Sequence, residues 1–75
     1  MNIIDVIKDY NDVKFKINDT PCGVAVEVYD RIPTYQSWCG RKNKEYKSLD
    51  ELIKDHFFCG KSLEEISETI EYWCI

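Results

Sequence analysis

The chain has no apolar run approaching the ~18 residues that a membrane-spanning helix needs. It has no glycine-rich phosphate loop, no Walker lysine and no dinucleotide fingerprint, which excludes the nucleotide enzymes built on those loops. Glycine and proline are scarce, with three and two copies, and no linker, low-complexity tract or extended repeat divides the chain. One domain over residues 1–75 is expected, near the lower size limit for a self-supporting core. Met1–Asp5 lacks the apolar stretch of a secretory leader, so the expectation is a cytoplasmic protein whose thiols stay reduced. Close cysteine pairs are also missing. Cys22, Cys39, Cys59 and Cys74 are separated by 16, 19 and 14 residues, and structural zinc sites usually draw ligands from pairs two to four residues apart. The expectation is four free thiols, no metal and no cofactor.

What is present suits a packed core. Hydrophobic residues make up 44% of the chain, ten of them aromatic, too rich a composition for a disordered segment. Ile3, Ile4, Ile7 and Tyr10 recur at helical spacing behind Asn2, a plausible N-cap. Val13–Ile17 alternates as a half-buried strand, and Val24–Tyr29 is the strongest strand signal. Thr34–Cys39 is the third strand, entered past Pro33, which donates nothing to a ladder. Ser48-Leu49-Asp50-Glu51 and Ser62-Leu63-Glu64-Glu65 both have the capping-box pattern and predict two helix starts. Leu49, Leu52, Ile53, His56 and Phe57 form one apolar stripe, and Leu63, Ile66, Ile70 and Trp73 the other. Gly60 is the natural turn between them. The expected fold is α+β, a three-stranded antiparallel meander with an N-terminal helix and a C-terminal helix pair, in the order α-β-β-β-α-α.

Charge separates along the chain. Residues 1–48 balance at +1 and residues 49–75 at −5, within a net charge of −4. On the third helix Glu64, Glu65, Glu68, Glu71 and Tyr72 lie off the apolar stripe. Carboxylates in the last turns oppose the helix dipole, so they serve either solubility or a basic partner. A non-catalytic protein-binding surface is the favoured function. Arg41, Lys42, Lys44 and Lys47, beside Trp38 and Tyr46, offer an alternative as a nucleic-acid-binding loop. The acidic overall balance argues against that. A structural or dimerising module without ligand is the third option. His56 and Cys59 are three apart, but His56 falls on the apolar stripe and a helix C-terminus raises a thiol pKa. No enzyme is expected.

Met1-Asn2-Ile3-Ile4-Asp5-Val6-Ile7-Lys8, together with Val13-Lys14 opening a strand after a short helix, resembles the small prophage-encoded anti-CRISPR proteins. The resemblance covers about the first 15 residues in sequence and the α-β-β-β-α-α layout. It implies a phage or mobile-element inhibitor that mimics DNA with carboxylates and occupies the arginine-lined PAM-reading site of an RNA-guided nuclease. This chain differs in being less acidic and in carrying a basic segment and four cysteines. The resemblance therefore implies a function class and no site residue.

Overall fold

Tight two-residue turns set the architecture. The computed structural model describes residues 2–70 and 73–74. Val13–Ile17 (β1) and Thr20–Tyr29 (β2) are joined by Asn18-Asp19, with φ of 48° and 67°. Asp30-Arg31, at 50° and 67°, joins β2 to Ile32–Cys39 (β3) in the same way. Positive φ at both central positions is the type I′ turn, whose twist matches that of the flanking strands. Gly40-Arg41, with Gly40 at φ 63°, has the type II′ pattern and leads into Lys42–Tyr46 (β4). Trp73–Cys74 (β5) pairs with the other side of β1, giving a five-stranded antiparallel sheet in the order β4-β3-β2-β1-β5.

Register divides the sheet into two faces, because side chains alternate along each strand. Val13, Phe15, Cys22, Val24, Tyr35, Ser37, Cys39 and Tyr46 are buried on one face. Lys14, Gly23, Trp38 and Cys74 share the other. A Cβ on Gly23 would stand 2.2 Å from the Trp38 ring and 2.6 Å from the Val13 carbonyl, so the indole lies where only glycine leaves room. Just before β1 begins, the Asp12 carboxylate accepts the Val26 N–H at 2.8 Å and replaces the missing ladder bond.

Three short helices cover the buried face: Ile3–Lys8 (α1), Leu49–Lys54 (α2) and Leu63–Thr69 (α3). Ile3, Val6, Ile7, Leu52, Leu63 and Ile66 meet the sheet residues around Phe58, which is fully buried and packs on Phe15 with ring centroids 5.5 Å apart. Asn2 caps α1 with a complete capping box, as its sequence position suggests. No helix among the described residues is long and apolar enough to cross a membrane.

The expected three-stranded meander is therefore corrected to five strands. Within the segment 41–47, Lys42–Tyr46 is an edge strand and not a loop; its residues look polar because only Tyr46 reaches the core. Pro33 does not interrupt β3. It pairs with Val28, and the ladder to β4 begins only at Tyr35, so its missing N–H removes no bond. Both C-terminal helices are shorter than their stripes. α2 stops at Lys54 because Asp55 turns extended, its carboxylate held 2.6 Å from both Lys44 Nζ and Tyr46 OH. His56 thus leaves the helix and is exposed. α3 ends at Thr69, Ile70 is extended, and Trp73 belongs to β5 opposite Phe15.

The two serine caps differ. Ser62 Oγ accepts the Glu65 N–H at 3.2 Å while Glu65 accepts the Ser62 N–H at 3.2 Å, and Ser62 is buried. Ser48 Oγ accepts the Glu51 N–H at 3.2 Å without a return bond. Both Ser→Ala changes should destabilise the fold within the usual ~0.5–2 kcal/mol for a lost N-cap, with Ser62→Ala the larger. Denaturant midpoints measured side by side check the order.

Candidate metal centre

Cys22 and Cys39 face each other across the β2–β3 ladder. The Gly40 N–H donates to the Pro21 carbonyl at 2.8 Å, the bond that flanks a non-hydrogen-bonded antiparallel pair. In such a pair the Cα atoms are ~4.5 Å apart and the side chains lie closest. The two sulfurs are accordingly 3.3 Å apart, and both residues are buried.

Cys59 arrives from a separate turn. Phe58 and Lys61 exchange both backbone hydrogen bonds, at 3.1 and 3.0 Å, around Cys59 and Gly60. Their φ values of 54° and 79° make this another type I′ turn. Gly60 suits such a position, whereas Cys59 occupies one that favours asparagine, aspartate or glycine. Phe58, anchored in the core, holds the turn against the sheet. Cys59 Sγ lies 3.2 Å from Cys39 Sγ, and all three sulfurs fall within 4.8 Å of one another.

Cys39 thus sits between two thiols. Burial, then the hydrogen bond with Cys39, pushes the Cys22 thiol up. Cys59 is raised mainly by its hydrogen bond to Cys39, while the Lys42 ammonium pulls the other way. Lys42 lies opposite Cys39 on β4, so one cation stands beside the exposed end of the cluster. Cys74 is not part of it. Its register opposite Lys14 puts it on the other face of the sheet. All four cysteines are free thiols.

Three thiolates around a tetrahedral zinc, with Zn–S bonds of about 2.3 Å, would be ~3.8 Å apart. The Cys22–Cys39 and Cys39–Cys59 pairs, at 3.3 and 3.2 Å, would open by roughly half an ångström to reach that spacing, and the third pair already lies within 4.8 Å. Thiolate sulfur is the donor that selects soft ions such as Zn²⁺ and Cu⁺. The expectation of no metal rested on the absence of close cysteine pairs in the sequence. The hairpin supplies that closeness across 17 residues and the Cys59 turn across 20. The signal was present in outline, since Cys22 and Cys39 each lie eight residues from the Asp30-Arg31 turn.

The other sequence candidates are dispersed. Glu64 and Glu68 are exposed on α3, whereas Glu65 is engaged by Ser62 and lies 3.1 Å from His56 Nε2. Glu71 and Tyr72 lie outside the described residues. The expected basic group is split. Arg41 is in the turn, Lys47 follows β4 exposed, Lys42 and Lys44 share the helix-side face, and Asn43 and Glu45 share the opposite one. Lys44 is committed to Asp55 and lies 5.2 Å from the Tyr46 ring centroid. His56 meets Glu65 rather than Cys59. No family model, curated protein or solved structure matches the chain.

The hydrogen bond from Lys44, then that from Tyr46, holds the Asp55 carboxyl below the usual carboxylate range. The fold therefore favours ionised Asp55. Its stabilisation is present above the unfolded value of about 4 and is lost as pH falls through that value toward the folded one. Burial, then Asp55, raises the Tyr46 phenol, so its contribution is present below about 10 and lost as pH climbs past it. Melting temperature should fall at both ends. Asp55→Asn should flatten the acid limb, leaving the part due to Glu65, which the Ser62 N–H also holds low. Thermal melts of both proteins across pH check this.

Proposed function

We propose that the protein is a small non-catalytic module that binds one thiophilic metal ion, of the Zn²⁺ type, through Cys22, Cys39 and Cys59. The observation that carries this reading is the convergence of three sulfurs from three separate segments within 4.8 Å. The left-handed backbone at Cys59 supports it further. A turn optimised for conformation alone would carry asparagine there, and an unusual residue at a strained position is a pointer to function. Lys42 offsets part of the negative charge that three thiolates bring. A bound ion also suits the size of the chain, since small domains commonly draw stability from a metal.

Zinc titration of the reduced protein should give one ion per chain and a higher melting temperature. Free zinc at one hundred times the dissociation constant adds about 2.7 kcal/mol of stability by mass action. Cys59→Ser should abolish the response without disturbing the core, because Cys59 is exposed. Cys74→Ser should leave the response intact. Equal binding by the unmodified protein and Cys59→Ser would overturn the assignment. So would loss of binding in Cys74→Ser alone.

A second reading keeps the acidic surface. α3 has no basic residue in its last turn, and Glu64 and Glu68 are exposed one turn apart, a like-charge spacing that works against the helix. Those carboxylates suit a protein partner with a basic site, such as a nucleic-acid-handling enzyme of the kind implied by the anti-CRISPR-like opening residues. Glu64→Lys with Glu68→Lys should keep the fold and lose such a partner, with wild-type binding weakened by salt. Pull-downs from bacterial lysate with both proteins at two salt concentrations check this. A partner retained equally by both would remove the acidic face from consideration.

A further inference from the structure

Among the described residues, the three-thiol centre is one ligand short of a closed zinc site. Among the described residues no histidine, carboxylate or fourth cysteine joins Cys22, Cys39 and Cys59. His56 is occupied at Glu65, and Cys74 is across the sheet. Structural zinc is almost always four-coordinate from protein side chains, whereas a site with three protein ligands keeps its fourth position for an exchangeable ligand. The access is one-sided. Cys22 and Cys39 are buried, while Cys59 is exposed and has Lys42 beside it.

Accepting the metal-binding reading, we infer that the fourth position of the Cys22–Cys39–Cys59 centre takes an external thiolate carried by an anionic molecule. Thiolate follows from the donor set, because an ion selected by three sulfurs is soft enough to prefer a fourth. The anionic carrier follows from its surroundings. Lys42 borders Cys59, and a groove of about 810 Å³ that reaches Cys22 has Lys61 on its wall, with Lys14 and Lys16 at its margin on the opposite face of the sheet and no carboxylate among the described lining residues. None of these four lysines forms a salt bridge among the described residues. The incoming thiol forms one metal–sulfur bond, its proton passes to solvent, and any water held at that position leaves. Nothing is oxidised or reduced. The same chemistry could come from a small anionic thiol or from a cysteine in an acidic segment of a partner protein.

Co²⁺ serves as the probe, because its visible and sulfur-to-cobalt absorption reports the number of thiolate ligands. The reduced full chain, loaded with one equivalent of Co²⁺, is titrated with 3-mercaptopropionate, 2-mercaptoethanol and cysteamine, and separately with an acidic peptide containing one cysteine. Absorption should rise from a three- to a four-thiolate spectrum. The anionic thiol should act at the lowest concentration and the cationic one at the highest. Lys42→Gln should raise the concentration of the anionic thiol needed by up to about fivefold, the scale of one exposed ion pair. Tighter binding of the peptide than of mercaptopropionate would assign the donor to a protein, and the reverse order to a small thiol; either supports an external thiolate. A 1:1 cobalt complex whose spectrum ignores every thiol would overturn this inference and leave the metal site standing. So would an order of potency that ignores charge, or a metal-bridged dimer without added thiol. A chain that binds no Co²⁺, no Zn²⁺ and no Cu⁺ would overturn both.

Discussion

The register of the β2–β3 hairpin is the constraint on which the rest of the molecule depends. A type I′ turn at Asp30-Arg31 permits one pairing and no slip, because a shift by a single residue would move every side chain to the opposite face. That register brings Cys22 to Cys39, Val24 to Ser37 and Val26 to Tyr35 on the covered face. It also brings Gly23 to Trp38 on the other, where the indole occupies the space of a missing side chain. A glycine–tryptophan pair tolerates no alternative, so the outer face enforces the alignment that the inner face uses.

Helix length follows from competition for polar groups more than from apolar periodicity. The stripe through His56 and Phe57 would have continued α2, but the Asp55 carboxylate finds better donors in Lys44 and Tyr46 on the neighbouring strand. Charge-assisted hydrogen bonds of this kind are roughly twice as strong as neutral ones. The chain is thereby released as extended backbone just before Phe58, free to drop that ring into the core and turn back at Cys59-Gly60. One ion pair on an edge strand thus helps to determine where Cys59, well beyond that strand's end at Tyr46, comes to rest.

Much of this was legible in the residues. The caps at Asn2, Ser48 and Ser62 mark helix starts because their side chains accept specific backbone donors, and all three do so here. The alternation of Val13–Ile17 likewise reports its burial. The β4 edge was hidden because a strand with one buried residue, Tyr46, has almost no hydrophobic signature. β5 was hidden because two residues make no pattern and Trp73 fits a helical stripe equally well. The thiol cluster was hidden for a different reason. Motif logic searches for ligands near one another in sequence, whereas this sheet brings them together by register and turn geometry. The Asp30-Arg31 turn carried the information, but it had to be read as a fold of symmetry before the cysteines could be seen as partners.

The separation of the three cysteines along the chain gives the cluster a property that a Cys-x-x-Cys knuckle lacks. A close pair retains much of its chelating power when the polypeptide unfolds. Here the sulfurs are 17 and 20 positions apart in sequence, and their proximity exists only while the hairpin, the core around Phe58 and the Cys59 turn are all in place. The effective concentration of one thiol at another is therefore supplied almost wholly by folding, since closing such loops in a disordered chain carries an entropic cost. Affinity at this centre would act as a gauge of global integrity. Loosening at any remote point of the sheet would be felt as weaker chelation, and an ion held there would leave a damaged chain before a sound one.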